Sequence, residues 1–161
     1  MNSVRVVTQA PDRMPGEVVA SFFFEGQLPV DGAAALLDWR LNGLLSRLLL
    51  EGSATGRLGE YILVQNNGKL QTPWILFAGG GSLQNLAPFT YGGLIGSVID
   101  DCRRAGFYQV SLCLTKPVGV APDWVEQLAG ELAFGADDME IVLTLQTRVG
   151  ARSVGRVTAG G

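Results

Sequence analysis

The chain has 161 residues, 47% of them apolar and only 17% charged. That is enough for one domain with its own core, and it excludes a disordered chain. Lys and Arg number 12 against 15 Asp and Glu, a net charge of −3, so nucleic acid is not an expected partner. Histidine is absent altogether, which removes Ser-His-Asp and Cys-His catalysis and His-ligated zinc together.

Val4 to Gln9 opens as a short strand, and Pro11, Pro15 and Gly16 mark a loop after it. Val18 to Phe24 is apolar at every position except Ser21, the pattern of a strand covered on both faces. Asp31 then stands as the N-cap of a helix. Leu37, Leu41, Leu44 and Leu48 recur at helical spacing, with Leu45 and Leu49 widening the stripe. They predict one long helix running through Gly43 and stopped by Gly52. Tyr61 to Gln65 reads as a strand, and Asn66-Asn67-Gly68-Lys69 predicts a hairpin with a type I′ turn. Trp74 to Ala78 is the returning strand, and it runs into Gly79-Gly80-Gly81-Ser82.

A second helix starts near Pro88 and carries Tyr91, Leu94, Ile95, Val98, Ile99 and Cys102 on its apolar face. Gly106 stops it, and Phe107 to Leu114 follows as a strand. Pro122, Asp123 and Glu126 open a third helix with Trp124, Val125, Leu128 and Leu132 inward and Gly135 as its stop. Ile141 to Leu145 is the last clear strand, and 147–161 is expected as a ragged strand or tail. Strands alternating with helices around one hairpin predict an α/β fold, a mixed sheet of about five to seven strands with helices on its faces. The expected core is Phe22, Phe24, Leu41, Leu44, Leu48, Ile62, Val64, Ile75, Phe77, Ile95, Ile99, Leu112, Leu128 and Ile141.

Chemistry has few places to reside. Cys102 and Cys113 are too few for a cysteine metal site; two buried thiols are expected, with a bridge left open. The pairs Asp100-Asp101 and Asp137-Asp138 are sequence neighbours, whose side chains diverge, so neither forms a carboxylate dyad. Gly92 and Gly96 share a helix face, suited to tight packing on the sheet or to close approach of a ligand or partner helix. Arg148, Arg152 and Arg156 form a basic series suited to solvent or an acidic partner. No catalytic residue, metal ligand or cofactor is expected. The one candidate binding site is Gly79, Gly80, Gly81 and Ser82, where free backbone N–H groups at the end of a buried strand suit a small anion. No signal peptide or membrane-spanning run is visible, so a cytoplasmic address is expected.

The order of elements resembles the N-terminal domain of the leucyl aminopeptidase family of metallopeptidases. The likeness rests on Val19-Ala20-Ser21-Phe22-Phe23-Phe24-Glu25-Gly26, the Leu-rich helix, Gly59-Glu60-Tyr61-Ile62-Leu63-Val64, and the hairpin into Trp74-Ile75-Leu76-Phe77-Ala78-Gly79. Gly106-Phe107-Tyr108-Gln109-Val110-Ser111-Leu112 completes it. The resemblance implies a three-layer α/β/α sandwich similar to macro domains, over residues 1–146. It also implies a role in protein contacts or homo-oligomerisation, since the family's two-metal chemistry belongs to a separate C-terminal domain whose hallmark stretches are absent here. Two alternatives stand beside it: a module binding a nucleotide or an ADP-ribose-like ligand, and the N-terminal part of a complete metallo-aminopeptidase.

Overall fold

The computed structural model describes residues 4–146 apart from 118. Six strands form one sheet: β1 (Val4–Val7), β2 (Val18–Phe23), β3 (Tyr61–Gln65), β4 (Trp74–Gly79), β5 (Gln109–Thr115) and β6 (Glu140–Gln146). Their order is β1-β6-β5-β2-β4-β3. Every neighbouring pair is parallel except β3 with β4. The central strand β2 is buried along its whole length, as its unbroken apolar run requires.

Four α-helices cover the sheet: α1 (Gly32–Arg40), α2 (Leu44–Leu50), α3 (Pro88–Arg104) and α4 (Trp124–Gly135). Alternation along the strands sorts the core into two layers. Val18, Ala20 and Phe22 of β2 and Val110, Leu112 and Leu114 of β5 pack with α3 and α4. Val19 and Phe23 of β2 and Ile75 and Phe77 of β4 pack with α1 and α2 on the opposite face. The result is the expected three-layer α/β/α sandwich with a mixed sheet. Cys102 lies in the first layer and Cys113 in the second, both buried and free. The sheet between them rules out a bridge.

Three local expectations are corrected. The long helix is two helices, because Asn42 (φ 60°) and Gly43 (φ 76°) both turn left-handed. The carboxylate of buried Asp38, near the end of α1, accepts the Leu45 N–H at 2.6 Å and so caps α2. The restart turns Leu45 fully inward at 0% exposure and leaves Leu44 and Leu48 only half-buried. Second, the hairpin exists but its turn is not type I′. Gln65 pairs with Trp74, so the connection spans 66–73, and Asn67 does not adopt positive φ. The Asn66 side chain organises that loop, accepting from Gly68 N–H (2.9 Å) and donating to Leu70 O (2.7 Å). Third, Phe24, Ile62 and Val64 are half-buried, since Phe24 lies past the end of β2 and β3 is an edge strand. Gly52 (φ 77°) and Gly106 (φ 93°) follow the ends of α2 and α3 as expected. Residues 147–161, with Arg148, Arg152 and Arg156, lie outside the described residues.

Candidate functional site

Parallel strands bring their carboxyl ends to one rim of the sheet, where open α/β folds place their ligands. Here that rim holds a cleft of about 200 Å³ over the ends of β2 and β5. Ser21, Phe22, Cys113 and Thr115 line it from the sheet. Asp31, Gly32 and Ala33 line it from the start of α1, and Phe24, Leu83 and Leu86 form an apolar wall. Gln27, Lys116 and Pro117 complete the lining, with Lys116 exposed to solvent.

Tyr91 of α3 is the best-fixed side chain of the cleft. It is 3% exposed, its ring stacks on Trp124 (5.8 Å between centroids, 9° between planes) and meets the edge of Phe22 at 5.5 Å. Its hydroxyl oxygen accepts the Thr115 N–H at 3.3 Å. Burial pushes the phenol well above its ordinary pKa, so it stays protonated and keeps an O–H to donate. Asp31 accepts the Gly32 N–H at 2.7 Å. Burial also raises the Cys113 thiol well above its ordinary value, which leaves it a weak nucleophile. The cleft therefore offers aromatic and apolar walls with a polar rim, and its one thiol is not activated for attack.

The glycine turn stands beside this cleft and contributes no lining residue to it. The Gly79, Gly80 and Gly81 N–H groups donate to Glu60 O, Phe23 O and Gly56 O, each at 2.8 Å. Gly81 O accepts from Glu25 N–H at 3.0 Å. The amides of Gly80 and Gly81 are thus committed within the fold, contrary to the anion cradle expected from sequence. Nor does a helix N-terminus follow directly, because a 3₁₀ turn at Leu83–Asn85 separates Ser82 from α3. The glycines are there for close approach. A Cβ on Gly79 would lie 2.0 Å from Arg57 O, and one on Gly80 would lie 2.3 Å from the Phe24 ring.

Gly92, Gly93 and Gly96 have nothing within 4 Å of a built Cβ, so they do not serve tight packing on the sheet. Asp100 and Asp101 pair with Arg103 and Arg104, both at 3.1 Å, and Asp138 pairs with Arg103 at 3.2 Å. Among the described residues no group of three or more His, Cys, Asp and Glu side chains converges to hold a metal. No helix among them is long and apolar enough to cross a membrane. The sequence did not reveal the cleft because its residues come from six segments; Phe22 and Phe24 were expected in the core, Asp31 as a cap, Tyr91 on a helix face and Cys113 as a buried thiol, none of them as neighbours in a site.

Comparison with known proteins bears on this architecture. Residues 18–137 match the N-terminal domain of the cytosol aminopeptidase family. The chain belongs to that family. A probable cytosol aminopeptidase from Cyanothece sp. is 28% identical over 82 residues, covering 51% of this chain and 17% of the relative. Tomato leucine aminopeptidase superposes with a TM-score of 0.64 at 19% identity, over 89% of this chain and 32% of that one. The macrodomain of Thermus aquaticus DarG also gives 0.64 at 13% identity, over 88% of this chain and 97% of that one. The chain thus spans under a third of either aminopeptidase, and its fold is that of macrodomains.

Proposed function

We propose that this chain is a non-catalytic cytosol-aminopeptidase N-terminal domain that works through protein contacts, in the cytoplasm. The observation that carries the reading is the surface. Phe89 on α3 is 93% exposed and Phe134 on α4 is 91% exposed. Aromatic rings are among the most valuable anchors of protein interfaces, and both stand free of this chain's own core. The family's N-terminal domain supports the reading. The test is hydrolysis of leucyl p-nitroanilide by the purified chain with and without Mn²⁺ or Zn²⁺. No turnover above the buffer blank is expected, and metal-dependent turnover overturns the proposal.

A second reading, a small-molecule module, is favoured by the cleft beside Tyr91. At about 200 Å³ it is smaller than the roughly 300–1,000 Å³ of drug-sized sites, so it suits a small ligand or part of a larger one. Lys116 at the rim favours an anionic group. A thermal-shift screen with phosphate, nucleotides and ADP-ribose tests it. A ligand at about 100 times its Kd adds ~2.7 kcal/mol of stability, and an unshifted melt across the panel rejects the reading.

A further inference from the structure

β3 is an edge strand, and among the described residues its outward side is open. In the β3–β4 ladder Gly79 N–H donates to Glu60 O and Asn66 N–H donates to Pro73 O, both at 2.8 Å. The Glu60 carbonyl, the Asn66 N–H and the backbone groups of Ile62 and Val64 therefore point at β4, and Tyr61, Leu63 and Gln65 point theirs away from it. No described residue bonds those outward N–H groups. The 66–73 loop folds back over the α1–α2 junction instead, with Asn67 Nδ2 on Arg40 O and Lys69 Nζ on Asn42 Oδ1, both at 3.0 Å. Natural edges are usually blunted by a charge, a proline or a bulge. Tyr61-Ile62-Leu63-Val64-Gln65 has none of these, and all five residues pair in regular register.

We propose that β3 is the seam through which two copies of this chain join, antiparallel, into one continuous sheet, with Leu63 on the two-fold axis. The proposal rests on the protein-contact reading above and names its surface and partner. A second copy fits because the strand is complementary to itself. With Leu63 opposite Leu63 of the other copy, Tyr61 lies opposite Gln65, and every outward N–H and C=O of the three residues finds a partner. Side chains agree on both faces. Tyr61 and Leu63, 39% and 46% exposed, meet across the seam on the α3 face. Ile62 and Val64, half-buried against the α1–α2 layer, lie opposite each other on the other face and extend that core between copies. At the strand ends Glu60 lies opposite Asn66, so no like charges face each other.

Sedimentation velocity of the full chain tests this. The parent should be dimeric at micromolar concentration. Leu63→Lys and Leu63→Glu should each sediment as monomers with unchanged melts, because each places like charges across the axis. An equal mixture of the two should restore the dimer, since only a self-opposed position turns two repulsions into one attraction. Independently of folding in the variants, amide exchange in the parent should slow at Tyr61, Leu63 and Gln65 as concentration rises, and stay constant at Ile62 and Val64. A parent that is monomeric throughout, variants that remain dimeric, a mixture that stays monomeric, or exchange indifferent to concentration each overturns the seam. None of these bears on the peptidase assay, so the seam can fail while the contact reading stands.

Discussion

At the scale of single residues, the glycine turn shows how a sequence signal can be sound about geometry and silent about purpose. Three glycines mark a place where backbone meets backbone, and they do so here: Gly79 lies against Arg57 O, and Gly81 sits at φ 74°. What they approach is the chain itself. The two adjacent positions should respond differently to one methyl. On Gly79 it meets a backbone carbonyl at 2.0 Å, which cannot withdraw without moving the 53–60 loop. On Gly80 it meets the Phe24 ring, a side chain beside the cleft that can rotate. Gly79→Ala should cost at least ~1–3 kcal/mol in urea denaturation, and Gly80→Ala should cost less. Equal losses, or the reverse order, would show that the turn has more freedom than its contacts allow.

At the scale of elements, the Leu-rich segment separates what periodicity encodes from what it does not. Spacing identified a helical stripe, and helices occupy that stretch. It did not reveal the break, because Asn and Gly are tolerated inside helices at a cost of ~1 kcal/mol or less, and tertiary packing decides whether that cost is met. Here two left-handed residues and the Asp38 cap restart the helix, and Leu45 replaces Leu44 as the buried residue. Leu45→Ala should therefore destabilise the protein by ~2–5 kcal/mol, and Leu44→Ala by clearly less. A larger loss at Leu44 in guanidinium titrations would favour a continuous helix. The hairpin follows the same logic. Its existence was legible in alternating apolar runs around Asn-Gly, but the turn type was set by the 66–73 loop docking on α1.

At the scale of the whole molecule, neutral groups buried on both faces of the sheet link stability to pH. Burial pushes the Cys102 thiol up to about 11, and it also raises Cys113 and Tyr91. Below the unfolded-state thiol value near 8.5–9 both states are protonated, and the groups have no differential effect. Above it the unfolded chain releases protons that the folded chain retains, so stability falls as pH rises. Each thiol removes up to about 1.4 kcal/mol per pH unit, for Cys102 until about pH 11. Denaturation midpoints should hold near neutrality and drop steadily from pH 9 to 10.5. Cys102→Ala combined with Cys113→Ala should flatten that drop; an unchanged slope would place its cause elsewhere.

By itself the sequence determined the six strands and the helical stretches between them, though not the break between α1 and α2, together with the two-sided burial of β2, the helix stops at Gly52 and Gly106, and the family likeness. These depend on side-chain periodicity and local backbone preference, which a linear string carries directly. Only the tertiary structure decided which carbonyls the Gly80 and Gly81 amides meet, and that the carboxyl ends of β2 and β5 open a cleft at Tyr91. It alone decided that β3 takes the edge with Tyr61, Leu63 and Gln65 facing outward. Each of these depends on which distant segments become neighbours. That choice is made by burying two apolar layers against one sheet, where no single segment's pattern is sufficient to specify its partners.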